Sequence, residues 1–176
     1  MHKIIAASAL ALSFALPAAA QDGSAIARFM DASGQAVGDV TLTQTTTGVN
    51  VAGQLTGMTP GEHGFHFHET GNCDSATGFE SAGGHFNPTD HKHGLENPAG
   101  PHAGDLPNVM AADDGTVAVE LDTDLISLNE SDPGYVFDAN GTALVIHAGP
   151  DDNKTDPAGN SGDRVACAVI EADPAS

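Results

Sequence analysis

Two hydrophobic patterns divide the chain. Over Ile4 to Leu16 the apolar residues run almost unbroken, and beyond residue 24 they come in short stretches separated by clusters of Gly, Pro, Asn and Asp. Val, Thr and Ile recur in the short stretches, which is the signature of strands rather than helices. Eight strands are predicted: Ala25–Met30, Val37–Gln44, Val49–Thr56, His63–Glu69, Asn108–Ala112, Thr116–Asp122, Thr142–His147 and Val165–Ile170. Asp113-Asp114-Gly115 is a turn signal between two of them, and Gly48 with Asn50 marks another hairpin. Eight short strands in one domain predict an all-β fold, an eight-stranded Greek-key β-barrel or sandwich.

Two connections do not fit the rhythm. Residues 70–107 and 148–163 are rich in Gly, Pro and Asp without periodicity. Structureless loops of that length in a compact domain are usually functional or tied down.

The first apolar stretch reads differently. Met1-His2-Lys3 is a short basic start, and Ala18-Ala19-Ala20 supplies the small residues of a signal-peptidase site. The run is too short for a membrane span and no stop-transfer pattern follows, so residues 1–20 are expected to be a signal peptide cleaved before Gln21. Residues 21–176 then form one domain in a periplasmic or secreted protein, with no other segment apolar enough to cross a bilayer. Five Lys and Arg oppose 24 Asp and Glu, and the formal charge of −19 becomes −20 when Lys3 leaves with the leader. Such a surface repels nucleic acid and anionic lipid, which argues against both as partners. The two cysteines, Cys73 and Cys167, are an even count in an exported chain and predict one disulfide.

Of the nine histidines, all but His2 and His63 lie in the first long loop or at strand ends bordering the loops. In Gly64-Phe65-His66-Phe67-His68-Glu69 side chains alternate, so His66 and His68 share one face about 6–7 Å apart and can converge on one ion. After Gly83-Gly84 the loop offers His85, His91, His93, His102 and Asp105, a set that can wrap around zinc. Metal binding contributes folding energy and would explain how the loop stays ordered. His147 ends a buried-looking strand where the second loop begins. Imidazole-rich sites without cysteine suit zinc or copper rather than magnesium or calcium.

Six segments, in order, carry a resemblance. Gly64-Phe65-His66-Phe67-His68-Glu69, Gly84-His85-Phe86-Asn87-Pro88, Lys92-His93-Gly94, His102-Ala103-Gly104-Asp105-Leu106-Pro107-Asn108, Val145-Ile146-His147 and Gly162-Asp163-Arg164-Val165-Ala166-Cys167 resemble the successive motifs of the copper/zinc superoxide dismutases, in their bacterial branch. The resemblance implies a flattened barrel with two functional loops that disproportionates superoxide. It implies copper held by His66, His68, His85 and His147, and zinc held by His85, His93, His102 and Asp105. His85 would bridge the metals and serve with Arg164 in catalysis. Asp151 would link His66 to His93, and Cys73–Cys167 would fix the loops around the site. Superoxide is the implied small-molecule substrate, and a homodimer is left open because family members pair through differing surfaces. His63 and His91 have no ligand role in this scheme; His63 is expected to make structural hydrogen bonds and His91 to be solvated. Ala168 follows the last Cys where Gly is common, and Ala158 occupies a channel-rim position that is often polar. The alternative is a copper-binding or copper-delivery protein of the same fold, which would be expected to lack Arg164 or part of the open site. A zinc buffer or adhesion domain leaves Arg164 unexplained, and no nucleophile motif supports a hydrolase.

Overall fold

A computed structural model describes residues 23–174. The leader expected over residues 1–20 lies outside the described residues. The described residues form nine strands: β1 Ser24–Asp31, β2 Ala36–Gln44, β3 Val49–Leu55, β4 Gly61–His63, β5 Phe65–His68, β6 Val109–Ala111, β7 Val117–Thr123, β8 Ala143–His147 and β9 Arg164–Ala172. Every strand pairing is antiparallel, and the sheet order is β4-β6-β7-β3-β2-β1-β9-β8-β5. The outermost strands, β4 and β5, are consecutive in the chain and joined by Gly64 alone. The sheet must therefore curl until its two ends meet, which gives a nearly closed barrel.

The expected eight strands become nine because His63–Glu69 is two strands. β4 pairs with β6, β5 pairs with β8, and Gly64 between them bonds elsewhere: its N–H to Gly149 O and its carbonyl to the His147 N–H. Hydrophobic alternation continues through Gly64 and conceals the corner. A side chain there would not fit, since a Cβ would lie 2.8 Å from Ser161 Cβ and 3.1 Å from the His66 ring.

Alternation fills the barrel as the pattern predicts. Ala25, Ala27 and Phe29 of β1, Val40 and Leu42 of β2, and Val49, Val51 and Leu55 of β3 point inward with Phe65, Phe67, Leu144, Ile146, Ala166, Ala168 and Ile170. A bulge between Phe29 and Met30 shifts the β1–β2 register opposite Gly38, whose φ of +139° and close approach to Gln54 O admit only glycine. The continuous apolar run of β8 has its own cause. Leu144 and Ile146 face the barrel, while Ala143 and Val145 face a second cluster with Phe79, Ala82 and Cys167. The loop 70–107, which contains single 3-10 turns at Ser75–Thr77 and Glu80–Ala82, supplies that outer cover. A third long connection, residues 124–142, joins β7 to β8; the sequence pattern does not single it out.

Candidate metal centre

β5 places His66 and His68, and the long loop comes back along its other edge. Phe67 N–H donates to Gly104 O at 2.9 Å, Phe86 N–H to Phe67 O at 2.8 Å, and Glu69 N–H to Gly84 O at 2.9 Å. Single bridges His66–Asp105 and His68–His85 result, so the loop behaves as an extra pair of strand fragments. β8 brings His147 to the same place from the opposite side of β5. All the predicted ligands are buried, and they fall into two groups: His66, His68, His85 and His147, and His85, His93, His102 and Asp105. Within each group the donor atoms lie within 4.8 Å of one another, and His85 alone belongs to both.

The hydrogen bonds choose which nitrogen each ring presents. His66 Nε2 donates to Asp151 Oδ2 at 2.6 Å, His68 Nδ1 to Gly83 O at 3.0 Å, and His147 Nδ1 to Gly162 O at 3.1 Å. With those protons placed, His66 Nδ1, His68 Nε2 and His147 Nε2 carry lone pairs; with His85 Nε2 they are buried atoms that lack a hydrogen-bond partner among the described residues. Buried polar atoms are normally satisfied. Four unsatisfied nitrogens converging on one point are a ligand set. Burial keeps these rings neutral and able to ligate: it pushes His66 down to about 3 and His147 to about 4, holds His68 well below its ordinary range, and lowers His85.

The second group centres on Asp105. Its Oδ1 lies 2.9 Å from His85 Nδ1, 3.0 Å from His93 Nδ1 and 3.5 Å from His102 Nδ1. A tetrahedron of ligands with bonds near 2.0 Å has edges of about 3.3 Å, so this donor set fits zinc. Asp105 Oδ2 accepts the Gly94 and His102 N–H groups, which orients the carboxylate. Burial opposes its charge, but the imidazoles of His102, His85 and His93 outweigh that and hold it well below the usual carboxylate range.

Asp151 joins the two groups, with Oδ2 on His66 and Oδ1 3.0 Å from His93 Nε2. It is itself fixed by Asn108, which accepts its N–H and donates to its carbonyl, both at 2.9 Å. Burial drags His93 down, yet its bonds to Asp105 and Asp151 prevail and raise it to about 9. Three residues here escaped the sequence reading. Asp156 accepts the His93 N–H and Lys92 Nζ at 2.9 Å each, tying the second long loop to the first. Gly159 lies against Asp151 and His93, and Asn108 ends the fourth motif and opens a predicted strand without a role of its own in either. Their roles arise from which loop lies over which, and no local signal marks them.

Arg164, at the start of β9, is half-buried and donates to Phe79 O at 2.8 Å and Gly83 O at 2.7 Å. Its guanidinium lines an open cleft of about 240 Å³ with His147, Ala158 and Ser161. The disulfide Cys73–Cys167 is formed and ties the loop that carries those two carbonyls to β9. His63 is buried, with its ring nitrogens against Thr59 O and His147 O, and His91 is exposed; neither joins a metal group. Ala168 lies in the barrel core.

Comparison with known proteins gives concordant results. The family model for copper/zinc superoxide dismutase (SODC) matches residues 36–170. Superoxide dismutase [Cu-Zn] 2 of Aquifex aeolicus is 47% identical over 151 residues, 85% of this chain and 88% of that protein. Superoxide dismutase [Cu-Zn] of Caulobacter vibrioides is 44% identical over 150 residues, 84% and 86% of the two chains. A SOD-like protein from Bacillus subtilis superposes with a TM-score of 0.78 at 38% identity, covering 82% of this chain and 96% of its own.

Proposed function

This chain belongs to the copper/zinc superoxide dismutase family, and from that premise we propose that it disproportionates superoxide, turning two superoxide ions and two protons into oxygen and hydrogen peroxide. The observation that carries the proposal is the set of four buried, unpartnered imidazole nitrogens on His66, His68, His85 and His147, opening beside Arg164. His66, His68, His85 and His147 would hold copper, and His85, His93, His102 and Asp105 would hold zinc. Copper would supply the one-electron couple, and zinc, which has no redox chemistry, would order the loop and acidify His85.

The side chains do the rest. Arg164 presents planar donors and a fixed positive charge to the incoming anion, and its two bonds to backbone carbonyls hold it in place. His85, anchored through Nδ1, offers Nε2 as a site where a proton is taken up and passed to the departing peroxide. Asp151 sets the tautomers of His66 and His93 together, so the two metal sites share one orienting group. The leader predicted over residues 1–20 and the disulfide support a periplasmic or secreted location, where oxidised cysteines persist.

The test is the mature chain loaded with copper and zinc, assayed for metal content and for superoxide decay by pulse radiolysis. About one copper and one zinc per chain with fast second-order decay is expected. Full loading without decay would favour the copper carrier of the same fold.

A further inference from the structure

The four cations among the described residues are all paired with carboxylates. Arg28 meets Glu171 at 2.9 Å, Lys92 meets Asp156 at 2.9 Å and Lys154 meets Glu96 at 2.7 Å, all largely in solvent. The fourth pair is different. Glu80 Oε2 lies 3.7 Å from Arg164 Nη2, and the arginine is 13% exposed while the glutamate is 75% exposed. Glu80 and Arg164 line the same cleft, below which His147 presents its unpartnered Nε2.

Glu80 is not needed to hold Arg164 in place, because Phe79 O and Gly83 O already do so at hydrogen-bonding distance. Its carboxylate accepts no hydrogen bond among the described residues. The other acid lining the cleft, Asp156, is occupied by Lys92 and the His93 N–H. Glu80 is therefore the acid at the opening whose charge faces only Arg164, loosely at 3.7 Å, and it is far more exposed than the positive group that an anion must reach. Its backbone leaves it little choice: it begins a 3-10 turn behind Phe79, whose buried ring and φ of 64° fix the direction of the turn.

We propose that Glu80 sets the anion selectivity of the site, admitting a small monoanion to Arg164 and turning back polyanions such as phosphate. The proposal rests on the reading of Arg164 as the anion-binding group. The physical basis is that Coulomb work scales with the charge of the visitor, so a carboxylate beside the path costs a dianion twice what it costs a monoanion. An abundant multivalent anion is thereby kept off the site at little expense to superoxide.

The test uses the chain loaded with copper and zinc, titrated with azide and with inorganic phosphate near pH 8. Binding is read by calorimetry and by the visible absorption of the bound copper, independently of turnover. Glu80→Gln, which keeps shape and removes charge, is expected to tighten azide about threefold and phosphate about tenfold. Glu80→Lys should extend both changes in the same order. Asp39→Asn, on β2 and separated from β8 by β1 and β9, removes the same net charge and should change neither. Equal tightening of both anions, no change in Glu80→Gln, or an equal effect from Asp39→Asn would overturn the proposal. Arg164→Ala separates the two levels. If it weakens both anions while Glu80→Gln does nothing, the role of Arg164 stands and that of Glu80 falls; if it weakens neither, both fall.

Discussion

Gly159 shows how much of the centre depends on an atom that is missing. A Cβ there would lie 1.8 Å from Asp151 Oδ1 and 2.7 Å from His93 Nε2, and the residue has φ +61°. Gly159→Ala should cost about 1–3 kcal/mol in stability from the left-handed backbone alone. By displacing Asp151 it should also weaken metal binding about 10–100-fold, measured by chelator competition. Wild-type affinity in this variant would mean that Asp151 does not orient the ligands. Arg164→Ala tests a different layer: metal content should stay near wild type while the rate of superoxide decay falls about tenfold, the loss expected for roughly 1.4 kcal/mol of attraction. An unchanged rate would remove Arg164 from the mechanism. The seven predicted ligands and Arg164 were legible because each sits in one of six short motifs that follow one another in order along the chain. Gly159 and Asp156 were not, since a glycine and an acid in an irregular loop gain meaning only from what packs across them.

Among the elements, the loop 70–107 carries the greatest burden. It edges β5, covers the outer face of β8 and turns two carbonyls toward Arg164. Cys73–Cys167 spans 94 positions, and the chain-entropy account gives such a link about 4–5 kcal/mol. A Cys73→Ser/Cys167→Ser double variant should lose stability of that order in denaturant titrations. Its activity per bound copper should also fall, because the segment that aims Arg164 has lost its anchor; full specific activity would show that Phe79 packing suffices. Here the strand pattern was legible and the corner at Gly64 was not. Period-two alternation tells which face a residue takes, but it does not say that the partner strand has changed. The connection 124–142 stayed hidden for a related reason: its order comes from links such as Ser127 with Tyr135, invisible to any local period.

At the scale of the molecule, pH and salt act on opposed charges. In protein stripped of metal by a chelator, His66 and His147 titrate near 3 and 4 when folded and near 6.5 when unfolded. The unfolded chain takes up protons first, so their contribution is complete above pH 6.5 and is lost as pH falls toward 3. His93, raised to about 9, works the other way and its contribution fades as pH rises from 6.5 through 9. Urea midpoints of the stripped protein should therefore peak near pH 7 and fall on both sides; an acid limb that stays flat to pH 4 would contradict this. Salt tests the net charge, −19 for the whole sequence and −20 for the chain without Lys3. The Debye length shrinks from about 30 Å at 0.01 M to about 10 Å at 0.1 M, so superoxide decay should quicken over that range as repulsion by the whole surface is screened. A falling rate would mean that Arg164 and the bound metals govern the approach even at long range.

The pairing of β1 with β9 reaches back to how the molecule is made. Ser24–Asp31 leaves the ribosome well over a hundred residues before Arg164–Ala172, yet they are sheet neighbours. The histidines of β5 likewise wait for His147 of β8, made some eighty positions later. A nascent chain cannot gather its ligands until β8 has been made, nor close its barrel until β9 has followed. For a chain exported as proposed above, that delay would keep the polypeptide an unlocked thread during its passage, with shape, disulfide and metals acquired afterwards.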